Sequence, residues 1–294
     1  MTDYDNLGLK ELVAKLEDSV LVVTLSSSEK PNLFHLALSE EIVRVFEMAD
    51  LDDSVRAVVM TADPTSKAFC PGLSLTKGFP AGGLSGTPET NPYILAEPGG
   101  RVSKAIINCR KITIVAINGH LGGVGSTAMQ LPFDIRFAWA GAKILFSFVR
   151  LGVNPEGLMT HFLPRLIGLS RANAIFLSGA SPLYPTSPLL DGLYYQVFEK
   201  REDVFPAALA FAKELASSTS QTAVAMTKSL LWHSPIKGIE DVAAMESRTM
   251  SMLVQAPDSK EGARAFAERR APRFEDKVSQ IDTDWYPWWT KSKM

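Results

Sequence analysis

The chain has very little cysteine: Cys70 and Cys109 are its only thiols in 294 residues. Two cysteines without metal-type spacing exclude a disulfide framework or a zinc cluster, and they fit a reducing compartment. The four histidines, His35, His120, His161 and His233, are scattered and form no H-E-x-x-H pair, so no metal site is expected. Charge of one sign is also missing. The formal net charge is −2, which argues against a nucleic-acid or anionic membrane surface. No run approaches the roughly 18 apolar residues of a membrane-spanning helix. The acidic, polar N-terminus has no secretory or mitochondrial character. What remains is 46% hydrophobic and 21% charged, an ordinary soluble composition with material for a sizeable core. One large domain, or one domain with a helical appendage, is expected.

The rest of the chain is organised around residues 112–136. Ile112–Ile117 is apolar and β-branched, the pattern of a strand buried on both faces. It stops at Asn118-Gly119, a turn signal, and Gly122, Gly123 and Gly125 follow closely. Ser126–Leu131 then reads as the start of a helix ended by Pro132. Such a strand, glycine turn and helix bring backbone N–H groups to one point, and glycine lets a ligand approach the main chain. Two readings compete. Gly123-Val124-Gly125-Ser126-Thr127-Ala128 matches the dinucleotide fingerprint G-x-G-x-x-G/A, which also requires an acidic residue at the end of the next strand. Ile135–Phe148 supplies none, and Asp134 comes too early. The other reading is an oxyanion hole.

Elsewhere strands and helices alternate, which argues for an α/β fold with repeated crossovers. Asn6–Glu17 reads as an amphipathic segment and Val20–Leu25 as a strand. Ser39 reads as the cap of a helix over Glu40–Ala49, and Val55–Thr61 as a second buried strand. Residues 76–100 form a long Gly/Pro-rich loop of the kind that shapes a site, and Val102–Arg110 reads as a helix. Asn154-Pro155-Glu156-Gly157 has the signature of a helix start, running towards Leu166. Phe205–Ser217, Thr222–Trp232, Ile239–Val254 and Ser259–Arg270 have helical spacing. The expected organisation is therefore a core over 1–202 and a helical C-terminal subdomain with tail over 203–294. Trp285, Tyr286, Trp288 and Trp289 crowd that tail as an anchor or an interface patch.

Ala68-Phe69-Cys70-Pro71-Gly72-Leu73-Ser74 follows the second strand. Together with the glycine turn it supplies N–H donors from two separate loops, as an oxyanion hole needs. At this point the chain resembles the crotonase (enoyl-CoA hydratase/isomerase) superfamily over roughly residues 18–275. The first loop is similar to the family's A-F-x-x-G-x-D segment, with Ser74 in place of the usual Asp. The second is similar to its N-G-x-x-x-G-x-x turn. Ser259-Lys260-Glu261-Gly262-Ala263-Arg264-Ala265-Phe266, with Glu268, Arg269 and Arg270, is similar to its late signature. The resemblance implies a spiral of ββα turns, a homotrimer or a dimer of trimers, and an acyl-CoA thioester as substrate. Coenzyme A then belongs to the substrate, and no separate cofactor is expected. The oxyanion donors implied are the N–H groups of Leu73 and Val124, with Gly123 and Gly125 as alternatives to Val124. Ala68, Cys70, Gly72, Gly123 and Phe148 are the implied substrate contacts.

Carboxylates decide the reaction. Hydratases of this family use two glutamates, whose positions here hold Thr127 and Phe148. Peroxisomal Δ3,Δ2-enoyl-CoA isomerases instead carry one glutamate in L-G-x-x-P-E-G, and this chain reads Leu151-Gly152-Val153-Asn154-Pro155-Glu156-Gly157. The resemblance therefore makes Glu156 the catalytic carboxylate of an isomerase, within an apolar pocket walled by Phe148 and Leu151. Enoyl-CoA hydration, including in a specialised pathway, is the rival activity. A non-catalytic acyl-CoA-binding protein is the rival of another class. Cys70 has no acid–base partner in sequence and is not expected to be a nucleophile. His120 is expected to cap the glycine turn, and Lys67, Arg150 and Arg165 to be solvated. Ser292-Lys293-Met294 is close to the S-K-L address, so recognition by a peroxisomal import receptor is expected, and otherwise a cytoplasmic location.

Overall fold

The computed structural model describes residues 2–26, 32–76, 97–179, 182–233 and 238–281. The Ser292-Lys293-Met294 ending, the tail aromatics and most of the Gly/Pro-rich loop lie outside them. The architecture is a spiral in which the chain steps between two sheets. β1 (Leu12–Glu17) and β2 (Val20–Leu25) form an antiparallel hairpin at one edge. After α1 (Leu36–Leu51), β3 (Ala57–Ala62) and β4 (Ala68–Cys70) lead to α2 (Pro98–Asn108). The next turn carries β5 (Ile112–Ile117) and β6 (His120–Gly122), and the third carries β7 (Ile135–Trp139) and β8 (Ile144–Leu145), followed by α3 (Met159–Ile167) and α4 (Leu169–Ser178). With β9 (Gln196–Phe198), one sheet has the order β1-β2-β3-β5-β7-β9 and the smaller one β4-β6-β8. Each ββ step thus adds one strand to each sheet. The crossovers are parallel.

Both faces of the larger sheet are covered, as the continuous β-branched strands require. On one face Val58, Met60, Val115 and Ile117 meet Ile42, Val45 and Phe46 of α1 and Val102 and Ile106 of α2. On the other, Ala57, Val59, Ile114 and Ala116 pack under α5 (Val204–Ser218). Its stripe Val204, Ala208, Ala212 and Ala216 recurs at helical spacing and keeps the helix close to the strands. Beyond it come α6 (Gln221–His233), α7 (Ile239–Gln255) and α8 (Pro257–Glu268). Lys228 of α6 is buried, and its Nζ donates to Asp134 Oδ2 at 2.8 Å, Lys111 O at 3.0 Å and Thr113 Oγ1 at 3.2 Å. Trp232 Nε1 donates to Asp134 Oδ1 at 2.8 Å. These bonds fasten α6 to the start of β5.

Four local expectations are corrected. Leu12–Glu17 is a strand: Leu12 and Ala14 point inward and Val13 outward, a period of two. Asp18 and Ser19, both at positive φ, close the hairpin. α1 starts at Leu36, because His35 Nδ1 accepts from Leu38 N at 3.4 Å. Ser39 is already inside the helix and donates to Leu36 O. Ser126–Leu131 is not an α-helix: a 3₁₀ turn over Gly123–Ser126 ends where Thr127 leaves helical geometry. Finally, residues 154–157 do not open α3. Gly157 and Leu158 are both left-handed, so the helix waits until Met159, and Asn154 Nδ2 donates to Pro155 O instead of capping.

Candidate active site

Two loops meet backbone to backbone. The Asn118 side chain accepts from Ala62 N at 3.3 Å and donates to Ala62 O at 2.7 Å, which locks the end of β5 to the end of β3. Beyond that lock β4 pairs with β6, Ala68 opposite His120 and Cys70 opposite Leu121. The approach leaves no room for side chains: a Cβ on Gly125 would fall 1.9 Å from Cys70 O, and one on Gly72 2.5 Å from Gly122 O. Gly72 also has φ +86°, a conformation that favours glycine. Gly72 O accepts from Phe34 N, tying the loop to the segment ahead of α1. Just past these contacts, the N–H groups of Leu73 and Val124 donate to no described residue. Two free amide donors on facing loops are what a developing oxyanion needs.

Glu156 is brought to these loops by α2. Ser103 of α2 donates to Gly157 O at 2.8 Å, and Gly157 packs against Thr127 and Ala128. Further up α2, a Cβ on Gly99 would lie 2.9 Å from Val124 Cγ2 and 3.4 Å from Glu156 Oε2. The bare glycine therefore lets the carboxyl and Val124 come together. Glu156 and Leu73 line one small cavity of about 20 Å³ with Phe34, His35, Leu36 and Pro98, room for a single water-sized group. Phe148 is buried and begins a 3₁₀ turn, while Leu151 is half exposed. Neither lines this cavity. The walls expected of them are supplied by Phe34, Leu36 and Leu73, because residues 148–152 curl into their own turn.

A second carboxyl faces the first. Glu97 is the N-cap of α2, its Oε2 accepting from Gly100 N at 2.6 Å. Glu97 Oε1 and Glu156 Oε2 are both buried without a hydrogen-bond partner. Burial, then the facing Glu97 carboxyl, pushes Glu156 up to about 9. Glu97 was not foreseen from the sequence. Glu97-Pro98 is nevertheless a helix-start signal, a capping acid followed by proline at the first turn, inside a stretch read as loop.

The remaining residues have local roles. Burial pushes the Cys70 thiol up to about 12, helped by Glu156 and opposed by the Gly72 N–H bond, so no thiolate nucleophile forms. His120 Nδ1 accepts from Lys143 N at 3.1 Å and thus holds the loop before β8. Thr127 Oγ1 donates to Val124 O, and Ser74 is exposed beside Thr76. Arg150 and Arg165 donate to Ser178 O and His161 O. Among the described residues no group of three His, Cys, Asp or Glu side chains is placed to hold a metal, and no helix is long and apolar enough to cross a membrane.

Comparisons with known proteins identify the family. Residues 15–277 match the family model described as enoyl-CoA hydratase/isomerase. The chain is 38% identical over 264 residues to the enoyl-CoA hydratase ACTT3 of Alternaria alternata, covering 90% of this chain and 85% of that one. It is 26% identical to a trans-2-decenoyl-[acyl-carrier-protein] isomerase of Streptococcus mutans, over 92% of this chain and 100% of the relative. A crystal structure of a probable enoyl-CoA hydratase/isomerase from Mycobacterium abscessus superposes with TM-score 0.79 at 31% identity, over 91% of this chain and 99% of that one. The ββα spiral is thus the crotonase fold, and the chain is an enzyme of the enoyl-CoA hydratase/isomerase family.

Proposed function

We propose that the protein isomerises a 3-enoyl-CoA to the conjugated 2-enoyl-CoA. The observation that carries this reading is the Glu156 carboxyl, sharing a cavity with Leu73 and lying beside the same α2 glycine as Val124. The N–H groups of Leu73 and Val124 hold the thioester oxygen. Glu156 removes a C2 proton, the electron pair moves into the enolate, and a proton returns at C4. A carboxyl between those carbons serves first as base and then as acid. Each oxyanion donor contributes about 2.7–4 kcal/mol to the enolate-like transition state. Coenzyme A enters with the substrate, and the chemistry needs no further cofactor.

Hydration of a 2-enoyl-CoA is the second reading. The Alternaria relative is named a hydratase, and the cavity at Glu156 accepts a water-sized group. Purified protein is given a 3-enoyl-CoA and, separately, a 2-enoyl-CoA, and the conjugated thioester absorbance is followed. Conjugation gained from the first, and abolished by Glu156→Gln, is the expected result. Conjugation lost only from the second moves the assignment to hydration. Binding of both esters without turnover leaves the non-catalytic reading in its place. The protein is further proposed to assemble as a homotrimer or a dimer of trimers, and Ser292-Lys293-Met294 to direct it to the peroxisome.

A further inference from the structure

We propose that Glu97 is a second acid–base carboxyl of this site, holding one proton jointly with Glu156 in the resting enzyme. The inference rests on the enoyl-CoA reading and deepens it. Three observations support it. Glu97 Oε1 and Glu156 Oε2 are buried with no hydrogen-bond partner and lie beside the same glycine, and two bare carboxylates facing one another cannot both stay ionised. A proton between them satisfies both oxygens at once. The geometry is held from outside the pair: Gly100 N fixes Glu97 through its other oxygen, and Ser103 fixes the backbone beside Glu156. Gly99 lies between the two, where a Cβ would sit 2.5 Å from Glu97 Oε1 and 3.4 Å from Glu156 Oε2. The missing side chain is what allows the two carboxyls to meet.

Among the described residues, no lysine or arginine lines the cavity at Glu156. Cys70 of β4 is a neutral thiol, and His35 lines the same cavity ahead of α1 with its ring nitrogens towards Leu38 N and Glu11. The 3₁₀ turn Gly123–Ser126 has no titratable group, and Arg101 and Lys104 of α2 are exposed. Burial, then the facing Glu97 carboxyl, raises the Glu156 pKa, which favours one proton retained by the pair.

A singly protonated pair carries a base and an acid together. In isomerisation the ionised member takes the C2 proton while the C2–H electrons form the enolate. Collapse of the enolate restores the carbonyl, makes C2=C3, and sends the old C3=C4 electrons to C4, where the other member delivers its proton. In hydration the ionised member takes a proton from water as its oxygen bonds C3. The C2=C3 electrons enter the enolate, and the other member protonates C2. Either way the pair begins and ends with one proton. The two carboxyls that hydratases take from other positions, occupied here by Thr127 and Phe148, are replaced by one from α2 and one from the loop before α3.

The test compares full-length wild type with Glu97→Gln and Glu97→Asp. Gln can still accept from Gly100 N, and Asp keeps both cap and charge but draws back by one methylene. The buried protonated-carboxyl band is titrated by infrared spectroscopy without substrate, and kcat/KM is followed against pH for both enoyl-CoA esters. In both variants the band is expected to disappear at least one pH unit below wild type, about a tenfold change in the ionised ratio. The kcat/KM profile is expected to move by the same amount, with binding of saturated hexanoyl-CoA retained. Band and profile coinciding with wild type in both variants would overturn the inference and leave Glu97 as a cap. A shifted band with neither ester turned over by wild type would support the shared proton and sink the enoyl-CoA reading instead.

Discussion

Glu156 is a residue whose place costs the fold stability. Its folded-state pKa is raised from 4.5 to about 9, so between those values the native state holds a proton that the unfolded state has released. Stability therefore falls as pH rises through that window, by up to about 1.4 kcal/mol per pH unit. Glu156→Gln removes the ionisable group at nearly constant shape. Denaturant unfolding is expected to show the variant more stable than wild type at pH 8, the gain shrinking towards pH 5. The same variant is expected to lose about 10²- to 10⁴-fold in kcat while a saturated acyl-CoA still binds. Equal stability of the two proteins at pH 8 would show that Glu156 ionises freely. Glu156, Leu73 and Val124 could be proposed from sequence because each lies in a local motif. Glu97 was not: its partner stands far along the chain, and only the fold brings α2 across the loop before α3.

At the scale of elements, the site depends on how closely two backbones approach. Gly125→Ala would press a methyl group into Cys70 O, with only 1.9 Å available, and the loops must part. The expected outcome is a fall in kcat of about 10²- to 10³-fold, the loss of one oxyanion donor, together with a lower Tm in calorimetry. Wild-type turnover in that variant would remove Val124 as a donor. The Lys228–Asp134 pair fastens α6 to β5 from beneath. Lys228→Met leaves the partly buried Asp134 with one partner fewer, and denaturant unfolding is expected to show about 1–3 kcal/mol lost. The double variant Lys228→Met/Asp134→Asn is expected to recover part of it. The buried strands were readable because Ile112–Ile117 is an apolar, mostly β-branched run and Val55–Thr61 is rich in valine, although that strand spans Ala57–Ala62. The elements misread were those with weak periods or side-chain-driven ends. Leu12–Glu17 is a short strand with mixed polarity, His35 caps where Ser39 fits the usual preference, and two left-handed residues delay α3 past a standard helix signature.

For the molecule as a whole, the last helices carry several exposed large apolar side chains. Leu231, Ile239, Met250, Val254 and Phe266, on α6, α7 and α8, are 58–88% exposed, against a core in which the equivalent residues are fully covered. Scattered apolar side chains are ordinary on a surface, but these five fall on three consecutive helices, and Phe266 belongs to the late signature that marks the family resemblance. A second copy of the chain is the occupant that this resemblance implies, and closure around a threefold axis leaves no face open for endless growth. Analytical ultracentrifugation is therefore expected to show a trimer or hexamer. Phe266→Ser is expected to weaken assembly, shifting the mass towards monomer at low micromolar concentration while each chain keeps its circular-dichroism spectrum. A wild-type monomer at all concentrations would instead assign these helices to another partner. An unchanged oligomer in the variant would place the contact away from α8. Since α2, Glu97 and Glu156 come from one chain, the monomeric variant is expected to retain the pH dependence of the pair even where its turnover falls.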